Sequence, residues 1–134
     1  MRLVVDTGVF SAALSRRRRP ALERHVQLLA GNQLFLASMT VAELRFGALV
    51  AGWGDGRRTR VEQAIQTTTV VPVTDSLLNG MATLRYACRL AGHPLGDKSH
   101  GNDLWVAATA RHVGAALVSA DRIFEDTPGL QLVR

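Results

Sequence analysis

Short apolar runs alternate along the chain with longer segments in which apolar residues recur every three or four positions. The short runs predict buried strands, and the periodic segments predict amphipathic helices. The predicted strands are Arg2–Val5, Leu34–Ala37, Thr69–Val73, Ala115–Ser119 and Leu130–Val133. Strands that alternate with helices at this spacing favour a mainly parallel central sheet flanked by helices on both faces. We therefore expect an α/β fold.

The predicted helices begin and end at recognisable signals. Thr7 is a candidate cap for the first helix, and Pro20 suits the first turn of the second. Gly114 is a C-terminal glycine stop for the last helix, which begins at Asn102 or Asp103. Further helices are predicted after Ser38–Thr40, from about Arg57 to Gln66, and from Asp75 or Ser76, with loops at Gly52–Gly56 and Gly92–Gly101.

Composition limits the class of protein. The chain has 134 residues, of which 47% are hydrophobic and 20% charged, as expected for one globular domain spanning residues 1–134. No stretch of about 18 apolar residues predicts a membrane span, and the N-terminus does not resemble a signal peptide. The single cysteine, Cys88, excludes an internal disulfide and a multi-cysteine metal cluster. We therefore expect a cytoplasmic protein.

Basic residues outnumber acidic ones, sixteen against eleven, and all but one of the sixteen are arginine. Arginine offers a planar fork that fits phosphate oxygens, so this surplus favours a polyanionic partner. Genomic base composition is an equally good explanation of the arginine usage. The residues that we consider for such contacts are Arg16, Arg17, Arg18, Arg19, Arg57, Arg58 and the aromatic Trp53.

Four acidic residues lie at corresponding places in the predicted fold. Asp6 and Asp121 each follow a strand, whereas Glu43 and Asp103 each lie in the first turn of a helix. Ligands of parallel α/β sheets bind beyond the carboxyl ends of the strands, so these four carboxylates are candidates for one shared site. Hard cations such as Mg²⁺ prefer oxygen ligands and can activate water toward a phosphodiester. The chain offers no His pair or Cys cluster that would suit Zn²⁺.

Each acid also has a structural explanation. Thr40 and Glu43 match a capping box, and Asp103 would complement a helix dipole. Asp121 suits a turn. Asp6 is harder to explain in this way, because a carboxylate at the end of an apolar strand is partly desolvated and needs a partner.

Four segments carry a resemblance to the PIN-domain nucleases, and particularly to the VapC-type toxins of bacterial toxin–antitoxin pairs. They are Val5–Phe10 (VDTGVF), Thr40–Gly47 (TVAELRFG), Asn102–Ala110 (NDLWVAATA) and Leu117–Asp121 (LVSAD) with Phe124. They follow the family's order and spacing over nearly the whole chain. The resemblance implies an endoribonuclease that depends on Mg²⁺ or Mn²⁺.

The resemblance also assigns roles to individual residues. It places Asp6, Glu43, Asp103 and Asp121 in the acidic metal site, and Ser119 where the family often has a threonine near the metal water. Thr7 is a further candidate for a hydrogen bond within the site. Gly8 departs from the family, which commonly has Ser or Asn there. Asp97, Glu125 and Asp126 are either additional acids or loop residues, and the loop interpretation is favoured because Asp commonly forms turns.

The resemblance implies partners as well. They are a small antitoxin that wraps the toxin, an RNA substrate, commonly a second copy of the toxin, and a larger toxin–antitoxin assembly. The arginine clusters and Trp53 would then contact RNA or the antitoxin.

Several alternatives can be compared with the sequence. A receiver domain needs paired acids at the first strand and a lysine near the last one, whereas Asp6 stands alone and Lys98 lies in a loop. A haloacid dehalogenase phosphatase needs a second Asp at position 8, which is Gly. A PIN nuclease of RNA processing and a non-catalytic PIN domain that binds RNA or protein both remain open. The RNA target and the cleavage site cannot be predicted.

Overall fold

The computed structural model describes residues 1–15, 17 and 19–134. The contacts predicted for Arg16 and Arg18 therefore lie outside the described residues. Among the residues that are described, no helix is long and apolar enough to cross a membrane.

In the part of the chain that the structure describes, one five-stranded sheet forms the centre of the fold. Its strands are β1 (Arg2–Val5), β2 (Gln33–Ala37), β3 (Thr69–Val71), β4 (Ala116–Val118) and β5 (Leu132–Val133). The spatial order is β3-β2-β1-β4-β5, and all four neighbouring pairs are parallel. The prediction of a mainly parallel sheet is confirmed, although β3, β4 and β5 are each shorter than predicted.

Among the described residues, six helices cover the sheet: α1 (Thr7–Leu14), α2 (Pro20–Gln27), α3 (Ser38–Val50), α4 (Asp55–Gln66), α5 (Asp75–Leu90) and α6 (Gly101–Val113). Short 3-10 turns lie at Pro94–Gly96 and Lys98–His100, within the predicted loop before α6, and at Arg122–Phe124. Two hydrophobic clusters show how the layers pack. One joins the sheet to α5 and α6, and the other joins it to α1, α3 and α4. The expected arrangement of helices on both faces is confirmed.

Helix starts differ from the sequence expectations in two places. The first helix is capped by Asp6, whose side chain accepts a hydrogen bond from the amide of Thr7, so the prediction that Thr7 is the cap was wrong. Helix α3 begins at Ser38, which leaves Thr40 inside the helix and fully buried. The capping-box explanation of Glu43 therefore fails, because a capping box needs Thr40 at the N-cap position.

Helix ends follow local backbone chemistry. Gly114 ends α6 in the left-handed conformation, with φ of 65°, as predicted from its position after the last periodic residue. Helix α3 does not bury all of the apolar residues near its end, because Leu49 is 63% exposed whereas Leu44 and Ala48 are buried.

The topology brings the ends of three strands together. Strands β1 and β4 are neighbours, with Val5 opposite Val118, and the amide of Asp6 donates to the carbonyl of Val118. The chain order of the strands reverses at this pair, and such a switch point opens a crevice at the carboxyl edge of a sheet. Helix α3 starts directly after β2, the other neighbour of β1. Helix α6 leads into β4, so its first turn lies at the same edge.

Candidate active site

Asp6 lies at the switch point and is held from two sides. Its Oδ1 accepts from the amide of Thr7 at 2.9 Å, and its Oδ2 accepts from the hydroxyl of Ser119 at 2.7 Å. Burial raises the pKa of this carboxyl above its ordinary value, and the charge of Asp121 raises it further. The two hydrogen bonds act in the opposite direction because they stabilise the ionised form. The carboxylate of Asp6 is therefore held in a fixed orientation by two hydrogen bonds and is partly shielded from solvent.

Ser119 links Asp6 to the next acidic residue along this edge. It is fully buried, donates to Asp6, and accepts a hydrogen bond from the amide of Asp121 at 3.1 Å. The carboxylate of Asp121 in turn caps the 3-10 turn that follows, through the amide of Ile123 at 3.0 Å. The turn interpretation of Asp121 is therefore correct, and it does not compete with a place in the site, because the same residue is an electrostatic neighbour of Asp6.

Glu43 is joined to Asp6 through the residue next to Asp6. The hydroxyl of Thr7 donates to Oε1 of Glu43 at 3.1 Å and lies 3.3 Å from the hydroxyl oxygen of Thr40. Helix α3 thus presents two polar side chains, three residues apart, to the start of α1. The contact of Thr40 was missed in the sequence analysis, which considered Thr40 only as part of a capping box.

Asp103 reaches the edge from α6. Burial is the largest cause that raises its pKa, followed by the charges of Asp121 and Asp6, and Glu43 contributes in the same direction. His100, whose Nδ1 lies 3.9 Å from Oδ2 of Asp103, lowers the pKa. Nothing in the sequence pattern had marked His100. The mutual electrostatic effects show that the four predicted acids, Asp6, Glu43, Asp103 and Asp121, share one neighbourhood.

The four acids lie near one another, but they do not by themselves form a complete coordination shell for a metal ion. Within the described residues, no three His, Cys, Asp or Glu side chains are arranged so that they could already hold a metal ion. The donor atoms are nonetheless all oxygens, which suits a hard divalent cation. Mg²⁺ commonly binds one or two carboxylates directly and keeps several waters, so a complete protein cage is not required. The donor set therefore fits Mg²⁺ or Mn²⁺ with partly water-mediated contacts.

The three additional acids have other roles in the structure. Asp97 is exposed and accepts a hydrogen bond from the amide of Ser99, which lowers its pKa. Glu125 forms an ion pair with Arg134, and Asp126 is exposed with a positive φ of 58°. These contacts support the loop interpretation.

A cavity of about 660 Å³ opens beside the acidic residues, and Glu43 contributes to its wall. Apolar side chains of α1, α3 and α4 form much of the lining, and arginines line it too. The arginines among the described residues are Arg17, Arg19, Arg57 and Arg60. The cavity thus combines an apolar lining with positive charge next to a negative site.

Trp53 is half-buried in this cavity and packs against the core cluster of α1, α3 and α4. The guanidinium of Arg57 lies over its ring, 5.7 Å from the ring centre. The ring is therefore only partly exposed. Arg58, the other predicted contact on α4, is exposed and is not among the residues lining the cavity, whereas Arg60 is. The helical spacing of three residues places Arg57 and Arg60 on one side of α4.

Comparison with protein families agrees with the fold. The family model for the PIN domain matches residues 3–130, and the chain belongs to this family. The resemblance seen in the four sequence motifs is confirmed.

Solved structures of similar fold include toxin–antitoxin complexes. The chain is similar to a chain of VapBC2 from Rickettsia felis bound to a promoter DNA fragment, with 21% identity, a TM-score of 0.79, and coverage of 99% of this chain and 98% of that one. It is also similar to a chain of FitAcB from Neisseria gonorrhoeae, with 20% identity, a TM-score of 0.78, and coverage of 98% of this chain and 96% of that one. A chain of VapBC-1 from nontypeable Haemophilus influenzae has 24% identity and a TM-score of 0.73, with coverage of 99% of this chain and 97% of that one. At these identities the likeness shows the fold. No curated protein matches the chain by sequence.

Proposed function

We propose that this PIN domain is a metal-dependent endoribonuclease and the toxin of a toxin–antitoxin pair. The observation that carries the proposal is the convergence of Asp6, Glu43, Asp103 and Asp121 at the switch point of a PIN fold. Burial and the charges of neighbouring carboxylates raise the pKa of Asp6 and Asp103, and a bound divalent cation would offset this unfavourable electrostatic environment. The toxin role is supported by the fold shared with chains of VapBC and FitAcB complexes.

Each residue of the site has a distinct task in this proposal. Asp6 and Asp103 hold the cation, with Glu43 and Asp121 completing the site directly or through water. Ser119 fixes the rotamer of Asp6 and the backbone of Asp121, and Thr7 orients Glu43. When bound, Mg²⁺ or Mn²⁺ would supply a water of lowered pKa and positive charge beside a phosphodiester.

The test of the nuclease is incubation of antitoxin-free protein with total RNA in the cytoplasmic range of pH, with Mg²⁺ or Mn²⁺ and separately with chelator. Discrete cuts that need metal and disappear in Asp6→Asn support the proposal. The matched control is His112→Asn, which changes an exposed residue of α6 and should cut normally. A folded protein that leaves RNA intact with either metal would favour the alternative of a non-catalytic PIN domain.

The cavity beside the acids is the proposed binding surface for the antitoxin, because its lining is apolar and it is bordered by positive charge. Trp53 and Arg57 are the expected anchors, since aromatic and arginine side chains in pockets dominate binding energies. Trp53→Ala should weaken the complex with an antitoxin encoded beside this protein by about 2 kcal/mol. Arg58→Ala is the control because Arg58 lies outside the lining. Equal losses in both variants would contradict this placement, and a loss of RNA binding instead would assign the cavity to the substrate.

A homodimer is proposed from apolar side chains that the isolated chain leaves exposed. On α5 these are Leu78, Tyr86 and Leu90, separated by multiples of four residues, and on α3 they are Phe46, Leu49 and Val50. Exposed apolar patches of this kind commonly mark protein interfaces. Tyr86→Asp should therefore shift the sedimentation of the protein from dimer to monomer, and a monomeric unmodified protein would refute the dimer.

A further inference from the structure

His93 lies between α5 and α6, outside the acidic cluster, and makes hydrogen bonds through both ring nitrogens. The amide of Leu95 lies 3.1 Å from Nδ1, and the carbonyl oxygen of Glu125 lies 2.7 Å from Nε2. Because the Leu95 amide donates, Nδ1 is an acceptor and carries no proton. The ring proton is therefore on Nε2, which donates to Glu125, with the Thr127 hydroxyl oxygen at 3.3 Å as a second neighbour.

The loop that carries His93 is fastened to α5. The amide of His93 donates to the carbonyl of Cys88 at 2.8 Å, and Nε of Arg85 donates to the carbonyl of Gly96 at 3.2 Å. A Cβ atom at Gly96 would lie 2.7 Å from the backbone nitrogen of Arg89, so the loop runs directly against the helix. Leu95 beside it is fully buried. The imidazole is thus carried by a loop that packs closely against α5.

The other end of this contact belongs to the segment that carries Asp121. Glu125 and Thr127 follow the 3-10 turn Arg122–Phe124, which the Asp121 carboxylate caps. The hydroxyl of Thr127 donates to the carbonyl of Phe124 at 2.8 Å, and Phe124 is fully buried. His93 therefore ties the segment after Asp121 to a loop that packs against α6.

The same loop leads into the first turn of α6, where Asp103 is located. The 3-10 turn Pro94–Gly96 contacts α5, α6 and both other 3-10 turns. The turn Lys98–His100 then joins α6 at Gly101. The imidazole is therefore a link between the chain segments that carry Asp103 and Asp121, two acids that raise each other's electrostatic energy.

We propose that His93 is a positioning residue for the acidic site, holding the Asp121 segment in place against the loop before Asp103 through its Nε2–H donor. This inference rests on the proposed metal site and deepens it. The Nδ1 contact serves only the local turn, whereas the Nε2 contact acts across 32 residues of sequence. The two contacts can be separated by substitution.

Two variants each keep one of the two ring-nitrogen contacts of His93 and remove the other. His93→Asn places a carbonyl oxygen near the former Nδ1, where it can accept from Leu95, but cannot reach Glu125. His93→Gln places an amide nitrogen near the former Nε2, where it can donate to Glu125, but loses the contact with Leu95. His112→Asn on the exposed part of α6 is the matched surface control. All three are made in the full chain.

The readouts are the Kd of Mn²⁺ alone, measured by titration calorimetry, and hydrogen exchange at the amides of Asp121 and Ile123. In His93→Asn we expect the Kd of Mn²⁺ to rise about tenfold, the lower end of the effect of groups that support metal ligands, and both amides to exchange faster. In His93→Gln we expect a Kd and exchange close to the unmodified protein, even if the thermal midpoint falls.

The outcomes separate this inference from the proposed function. If the unmodified protein bound Mn²⁺ but both variants bound it equally well, His93 would have no positioning role. If His93→Gln lost as much affinity as His93→Asn, the Nε2 link would be refuted. Should His93→Asn not fold, a loss of Mn²⁺ affinity in folded His93→Gln would still refute the Nε2 link, whereas affinity and exchange close to those of the unmodified protein would support it. Absence of Mn²⁺ binding in the unmodified protein would overturn the metal site itself, and with it the role of His93.

Discussion

Asp6 and Asp103 are both acids whose pKa is raised first by burial, yet the protein holds them in different ways. Asp6 follows a central strand and accepts two hydrogen bonds, from a backbone amide and from a buried serine. Asp103 lies on a helix, and within the described part of the chain its side chain makes no hydrogen bond, only the 3.9 Å contact with His100. The carboxylate of Asp6 is therefore preorganised by hydrogen bonds, whereas the carboxylate of Asp103 lies at the site without a hydrogen bond from the described residues.

This difference shows how an acidic site can be stable before its cation arrives. Hydrogen bonds to Asp6 offset part of the cost of desolvating its charge. Asp103 remains partly exposed, where solvent screens the repulsion from the other carboxylates. The rigid half of the site, Asp6 with its hydrogen-bond donors, defines the geometry. The less constrained half, Asp103, can adjust to the ion.

The largest effect is expected from breaking the rigid half at Asp6 itself. Asp6→Asn keeps the size of the side chain and removes a charge that no other residue in the site replaces. RNA cleavage should fall by more than about a hundredfold, beyond the ~10–100-fold typical of groups that only support a ligand. Initial rates with Mg²⁺ and Mn²⁺ measure this loss. A variant that cuts at the normal rate would remove Asp6 from the site.

A smaller effect is expected from removing the support of Asp6. Ser119→Ala deletes the hydroxyl that donates to Asp6 and accepts from the Asp121 amide, so cleavage should fall about tenfold to a hundredfold. Unfolding in urea should show a cost of about 1–3 kcal/mol, since a buried amide and a carboxylate lose a partner. Ser119→Thr keeps the hydroxyl and is the control. Activity of Ser119→Ala equal to that of the unmodified protein would show that the hydroxyl has no supporting role there.

Thr7 provides a way to sharpen the comparison between Asp6 and Glu43. Thr7→Val removes the hydroxyl that donates to Glu43 while keeping the shape of the side chain and the amide that binds Asp6. Cleavage should fall by about tenfold or less, with Thr7→Ser close to normal. Rates measured over a range of Mg²⁺ concentrations check this. A loss as large as that of Asp6→Asn would mean that Thr7 contacts the reacting groups directly.

The smallest effect, of opposite sign, is expected at Asp103. The pKa of Asp103 in the folded protein lies above its ordinary value because the carboxyl group is partly buried, so protonated Asp103 favours folding at low pH and this contribution is lost as pH rises through the folded pKa. At neutral pH the ionised group therefore destabilises the metal-free protein. Asp103→Asn should raise its stability by less than about 1 kcal/mol, because solvent screens a partly exposed group.

Thermal unfolding in chelator, measured from below the ordinary pKa of 3.8 up to neutral pH, checks this prediction. The stability gained by Asp103→Asn should grow with rising pH until the carboxyl group of the unmodified protein is fully ionised. Excess Mn²⁺ should reverse the order of the two proteins, because only the unmodified one has the full set of ligands. A variant that is less stable in chelator would show that Asp103 has a stabilising partner.

Much of the fold was predictable because its signals are local. Strand β1 matched its predicted bounds, and α2 and α6 began within a residue or two of Pro20 and Asn102. The errors arose where a polar side chain had a distant partner. Asp6, not Thr7, caps α1, and Glu43 meets Thr7 across 36 residues of sequence instead of closing a capping box with Thr40. Local propensity cannot reveal such a partner, since either arrangement satisfies it.

The amino-acid sequence by itself determined the alternation of strands and helices and the parallel sheet, and it marked the four acids as candidates, because periodicity, turn residues and strand-end carboxylates are local signals. Only the tertiary structure decided which hydroxyl holds which acid, that His100 lies beside Asp103, and that Trp53 is half-buried beneath Arg57. It also decided that His93 spans two segments of the site. These contacts depend on directions and distances between segments far apart in sequence, which exist only once the sheet has set their order.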